Sequence, residues 1–205
     1  LEQAYDESPL NNFEKNKFKD LFLNRYPEFD LMFEEAAQET GIEKNLLAAI
    51  SFQESQWDPR AQSNMGVRGM MMVTLETAAL VGVEKRLNPE QNIKGGAKYF
   101  AMLKEKNIVG QTDADQLSTV LASYNLGPTN IIKIANQINS DVQTVTWLEI
   151  REKLKVIKGS ELDLVDRESY SRGQQAIDYV DRVKSYYQLL SAHSCIAPKD
   201  QLIFF

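Results

Sequence analysis

Between Phe18 and Leu190 the apolar residues of this chain return every three or four positions, and no strong every-second-residue alternation appears. A period near 3.6 lines up one buried stripe on a helix and scatters side chains over both faces of a strand. The pattern therefore confines the chain to packed helices. Phe18, Leu21, Phe22 and Arg25 place one helix that ends near Pro27. Phe29, Met32, Phe33, Ala36 and Ala37 place a second, closed by Gly41 as a C-cap. A third is expected over about 43–57, because Pro59 cannot continue it and Asp58 before the proline is driven towards extended backbone. Asn88-Pro89-Glu90-Gln91 is a helix start, with Asn as N-cap and Pro at the first helical position. The helix it opens stacks Ile93, Gly96, Phe100 and Leu103, and its Gly95-Gly96 pair predicts a close approach by a neighbouring segment. Leu117, Val120, Leu121 and Tyr124 mark another helix, stopped at Asn125-Leu126-Gly127-Pro128. Ile131, Ile134 and Ile138 follow, and Ala176, Val180, Val183, Tyr187 and Leu190 form a last long stripe. Residues 149–168 are charged and irregular and read as a surface excursion. The expected fold is all-α, a single globular domain over 1–205.

Charge and composition exclude several functions. With 43% hydrophobic and 25% charged residues the chain has the balance of a folded globular protein. Its net charge of −6 offers no uniformly basic surface for a phosphate backbone, so nucleic acid is not an expected partner. The single histidine, His193, excludes a multi-His zinc site, and the single cysteine, Cys195, excludes an internal disulfide. This pair reads as part of a bland tail, and no metal or cofactor is expected. The longest uncharged stretch, 116–132, is too polar to span a bilayer. No signal peptide is visible, and a start at Leu1 rather than Met predicts a fragment or a processed form.

One polar residue breaks the buried pattern. Leu47, Ile50, Glu54 and Trp57 are spaced three, four and three apart, which sets a carboxylate on the apolar face of a helix in its last turn. Withdrawal from water disfavours the ionised form, and the free carbonyls of the last turn act in the same direction. Such a group keeps its proton nearer neutrality, as a general acid must. The bland alternative is a side chain turned to solvent or paired with Arg60 or Arg68. The next stretch, "PRAQSNMGVRGMMMVTLETA" (59–78), carries Ser63, Gly66 and Gly69, which let a loop fold tightly, and then Met70, Met71 and Met72. By itself the methionine run reads as core.

Taken as a set, these blocks resemble a known family. Glu54-Ser55, Pro59, Ala61, Ser63, Gly66, Gly69-Met70-Met71-Met72 and Thr77-Ala78 resemble the signature of the lytic transglycosylase domain related to goose-type lysozyme. "NPEQNIKGGAKYF" resembles its second block, "LASYNLGP" its Tyr-Asn-x-Gly-Pro block, and "QQAIDYVDRV" its closing segment. The resemblance runs from about 30 to 190. "GVRGMMM" and "YSRGQQAIDYV" are most similar to the membrane-bound lytic murein transglycosylase F branch, in which this domain follows a periplasmic solute-binding-like domain. Two positions depart from the pattern: Met72 stands where most relatives have Gln, and Gln175 where the last block has Glu.

The resemblance implies a lysozyme-like helical fold with a substrate groove, and peptidoglycan glycan strands as partner. It implies non-hydrolytic cleavage of the β-1,4 bond between N-acetylmuramic acid and N-acetylglucosamine, leaving a 1,6-anhydromuramoyl end. Glu54 would be the catalytic residue, first acid and then base, so no second carboxylate is required. Ser63, Met71, Met72, Tyr124, Asn125 and Tyr179 would bind substrate. Without the resemblance, Tyr124 and Tyr179 fit a core role, and Ser63 could simply organise its loop. A periplasmic location, outer-membrane association through segments outside this chain, and a regulatory solute-binding-like domain are implied as well. A hydrolytic muramidase on the same fold and a silent glycan-binding domain are the alternatives.

Overall fold

The computed structural model of the chain describes residues 1–63, 66–106, 108–157 and 169–196. Ten α-helices appear among them: α1 Glu2–Glu7, α2 Asn12–Asn24, α3 Asp30–Thr40, α4 Lys44–Ser55, α5 Leu75–Val81, α6 Pro89–Lys106, α7 Asp113–Leu126, α8 Pro128–Ile138, α9 Trp147–Val156 and α10 Ser169–Ile196. Extended backbone among the described residues pairs only in isolated bridges, Gln62 with Arg68 and Arg68 with Val73. Residues gather into two compact units, Leu1–Gly96 with Arg182–Phe205, and Ala97–Asp181.

The local start and stop signals explain most boundaries. Gly41 closes α3 at φ +70° and donates its N–H to Ala37. Asn88 opens α6 by accepting the Gln91 N–H at 2.9 Å. Asn11 and Glu14 exchange hydrogen bonds across the first turn of α2, a capping box that satisfies two otherwise orphaned donors.

The first unit is built on rings. Phe18, fully buried, lies 5.0 Å from Phe52, 5.8 Å from Trp57 and 5.4 Å from Tyr186 between centroids. Each such pair contributes roughly 0.5–1.5 kcal/mol beyond its area burial. His193 is no part of a bland tail. α10 runs on to Ile196, and the imidazole sits 4.2 Å from the Phe22 ring with its Nε2 3.0 Å from the Tyr5 hydroxyl. Burial, Lys19 and the amino terminus lower its pKa below the ordinary value. Cys195 is exposed, and the chain after Ile196 lies outside the described residues.

In the second unit Leu121, Ile131, Ile134 and Ile150 are fully buried. Here the structure corrects the expectation from sequence. The stretch from 149 is not irregular: residues 147–156 form α9, which buries Trp147, Ile150 and Leu154 at a spacing of three and four. Five charged residues and the exposed Leu148 and Val156 on its other positions hide that stripe. Its start is marked by Thr146, which accepts the Glu149 N–H while Glu149 accepts the Thr146 N–H at 2.8 Å. Residues 158–168 lie outside the described residues.

Candidate active site

Glu54 is half-buried in the last turn of α4, on one face with the fully buried Leu47 and Ile50. The helix ends at Ser55 rather than near 57, so the fully buried Trp57 follows it instead of continuing that face. The backbone just past this helix is strained. Gln56 and Trp57 both adopt left-handed backbone, at φ +56° and +58°, where a side chain costs roughly 1–2 kcal/mol per residue. Tertiary contacts hold them there. The Trp57 indole N–H donates to the Ala48 carbonyl at 2.9 Å, and its ring stands 4.7 Å from Phe52 and 4.8 Å from Tyr26. Gln56 donates its N–H to Phe52 at 2.8 Å, and its carbonyl accepts from the Arg25 guanidinium at 3.0 Å. The turn beneath Glu54 is thereby fixed from two sides.

The loop after it is locked to the same helix. The hydroxyls of Ser51 and Ser55 both donate to the Met70 carbonyl, at 2.9 and 2.8 Å. Asn92, fully buried at the start of α6, uses its whole amide on this loop: Oδ1 accepts the Met71 N–H at 2.6 Å, and Nδ2 donates to the carbonyls of Arg68 at 3.0 Å and Arg86 at 2.8 Å. Arg86 in turn donates to the carbonyls of Gly66 and Val73, at 2.7 and 3.1 Å. A buried amide needs such partners, since each one left unmade costs about 1–3 kcal/mol. Two glycines make the approach feasible. A Cβ on Gly69 would stand 2.3 Å from the Arg86 carbonyl oxygen, and one on Gly96 would stand 2.4 Å from Met71 Cβ.

These contacts gather Glu54, Ser55 and the methionine loop in the first unit. Met70 and Met71 are fully buried, so the core reading of the run holds for them, and the Met71 side chain has no surface to offer a ligand. Met72 differs: it is half-exposed and sits at φ +48°. Ser63 organises its own loop, accepting the Val67 N–H on its hydroxyl at 3.2 Å and the Gly66 N–H on its carbonyl at 3.0 Å. Tyr124, Asn125 and Tyr179 belong to the second unit. Tyr124 is half-buried in the last turn of α7, its ring tilted 5.6 Å from Tyr99 and 6.1 Å from Phe100. Asn125 beside it is exposed, while Tyr179 on α10 is 4% exposed. Sequence reasoning missed Ser51, Asn92, Arg86 and Arg25 as supports. Asn92 alone left a trace, a polar residue one turn before Gly96 and two before Phe100 on a buried stripe. No group of three or more His, Cys, Asp or Glu able to hold a metal occurs among the described residues.

The fold has solved counterparts. Lytic transglycosylase Slt from Pseudomonas aeruginosa, in the form of an inactive glutamate-to-glutamine mutant, superposes with a TM-score of 0.57 at 20% identity, covering 80% of this chain and 24% of that one. The 70 kDa soluble lytic transglycosylase SLT70 from Escherichia coli gives 0.54 at 18% identity, with 81% and 24% covered. The class is thus the lysozyme-like, all-α fold. The transglycosylase SLT domain matches residues 31–144, more than half of the chain, and the chain belongs to that family. Among curated relatives, membrane-bound lytic murein transglycosylase F 1 from Alkalilimnicola ehrlichii is 41% identical over 170 residues, which are 82% of this chain and 34% of the relative. Its counterpart from Hahella chejuensis is 36% identical over 172 residues, 82% and 33%. The chain spans about a third of the length of these relatives. No helix among the described residues is long and apolar enough to cross a membrane.

Proposed function

We propose that this chain is the catalytic module of a peptidoglycan lytic transglycosylase. It cuts the β-1,4 bond between N-acetylmuramic acid and N-acetylglucosamine and leaves a 1,6-anhydromuramoyl end. The observation that carries the reading is the placement of Glu54: half-buried in a turn tied through Ser51 and Ser55 to the Met70 carbonyl, inside the segment that matches the family. A carboxyl partly withdrawn from water, on a turn held by hydrogen bonds from several sides, is suited to deliver a proton to a glycosidic oxygen. Once ionised, the same group takes the proton of the muramoyl 6-hydroxyl as that oxygen closes on its own anomeric carbon. The proton given in the first step is recovered in the second, and no water enters.

Met72 offers a half-exposed apolar surface where most relatives carry Gln, so this reading gives it packing against the sugar rather than a side-chain hydrogen bond. Tyr124 and Asn125 are assigned sugar contacts by the resemblance. The resemblance assigns contacts to Tyr179 and Met71 as well, and both are buried in the structure. Relatives named membrane-bound favour a periplasmic, membrane-associated protein.

Digestion of purified peptidoglycan, read by mass spectrometry, tests the assignment. Anhydro ends, lighter than reducing ends by one water, are the expected product. Glu54→Gln should lower turnover by about a thousandfold or more, the scale for removing a general acid that also serves as base. Reducing ends in place of anhydro ends would make the protein a muramidase. Unchanged turnover in Glu54→Gln would remove Glu54 from the mechanism.

A further inference from the structure

A second concavity lies behind the last turn of α4. With about 100° of rotation per residue, Gln53 stands about 100° and Phe52 about 160° round the axis from Glu54, so this side of the helix faces away from the carboxylate. Phe52, Gln53 and Gln56 line a cleft of ≈ 360 Å³ that Lys17 from α2 and Arg182 and Tyr186 from α10 help to enclose. That is within the range of small-molecule sites.

Its chemistry is mixed in a specific way. Phe52 and Tyr186 meet edge to face at 4.5 Å, 3% and 5% exposed, and make an apolar floor. At the rim Phe13 is 74% exposed, an open platform for the flat face of a ligand. Gln53 and Gln56, both half-buried, each offer two N–H donors and a carbonyl, the complement of an amide. The Tyr186 hydroxyl, its pKa pushed up to about 12 by burial and Glu14, stays protonated and can donate. Charge is left over on one side. Arg182 is matched by Glu14 at 3.1 Å, whose other oxygen accepts the Asn11 N–H at 3.0 Å. Lys17 forms no ion pair among the described residues.

We infer that this cleft is an accessory binding site for a small molecule that combines an N-acetyl amide, one carboxylate and a flat apolar ring face, the chemistry of an N-acetylated sugar acid. N-acetylmuramic acid has all three: its pyranose face stacks on Phe13, its acetamido group meets the glutamine amides, and its lactyl carboxylate faces Lys17. The inference rests on the proposed function only for the source of such a ligand, since the strands cleaved there are built in part from sugar acids of this kind.

The test is an NMR titration of the isotopically labelled 205-residue chain carrying Glu54→Gln, which keeps binding separate from cleavage. N-acetylmuramic acid should move the amides of residues 11–17, 52–56 and 182–186 more than those of the 66–73 loop. Lys17→Glu and Phe13→Ala should each weaken this binding by about tenfold, as should omission of the carboxylate in N-acetylglucosamine, each equivalent to about 1.4 kcal/mol. Far-UV circular dichroism confirms that both variants are folded. Shifts confined to the 66–73 loop, or an unchanged Kd in Lys17→Glu, would overturn the site. So would equal binding of alanyl-glutamate, which carries carboxylates and an amide without the sugar. A failure here leaves the digestion result untouched, and a failed digestion leaves these shifts to be read by themselves.

Discussion

Two helices that carry candidate site residues end in opposite ways. α7, bearing Tyr124 and Asn125, stops at Gly127 with φ +90° and ψ 140°, and Pro128 opens the next helix. α4, bearing Glu54, stops at Gln56 and Trp57, two residues with side chains in left-handed backbone. The first ending is written in residue types that favour it. The second is imposed by what surrounds it: the indole bonded to Ala48, the rings of Phe52 and Tyr26, and Arg25 on the Gln56 carbonyl. A turn made by its own residues survives the loss of its neighbours. A turn made by its neighbours records whether they are in place. The carboxylate proposed as catalytic stands on the second kind.

The contrast can be broken at Trp57. Trp57→Ala removes a fully buried indole and the main restraint on the strained turn, and should cost about 3–5 kcal/mol in denaturant unfolding. A loss near 1 kcal/mol would mean that the turn stands without its aromatic support. At the other helix end, Gly127→Ala should cost about 1–3 kcal/mol through backbone strain alone. The nearest atom to the new Cβ would be Asn130 Nδ2, at a comfortable 3.8 Å. A negligible change in melting temperature there would remove the claim that glycine is required. The smallest effect sharpens the comparison: Gln56→Gly relieves the strain and should stabilise the fold by at most about 1 kcal/mol, offset by glycine's extra freedom in the unfolded chain. Destabilisation instead would show that the Gln56 side chain contributes more than its backbone costs.

The same contrast separates what the sequence made legible from what it hid. α3, α6, α7 and α8 were readable because Gly41, Asn88-Pro89 and Gly127-Pro128 act through their own backbone preferences. α9 was hidden, since only Trp147, Ile150 and Leu154 are apolar and buried amid charged neighbours, although the Thr146–Glu149 capping pair was there to be read. At the candidate site, the half-burial of Glu54 follows from its helical spacing. The supports do not. Asn92 reaches Met71 across 21 positions and Arg25 reaches Gln56 across 31, and no local pattern encodes a contact that only the folded chain creates. The methionine run shows the limit at single-residue scale. Met71 and Met72 are the same residue type in adjacent positions, one sealed in the interior and one half-exposed, and only backbone geometry tells them apart.

That adjacency bears on how the domain can be re-engineered. At position 69 there is no room for even one added carbon, and Met71 is wedged against Gly96, so both are closed to diversification. Met72 is the open door in the loop: the residue is only partly buried, and its neighbours already hold the main chain in shape. Libraries meant to vary the proposed substrate contact should concentrate their variety there and leave the flanking scaffold as it is.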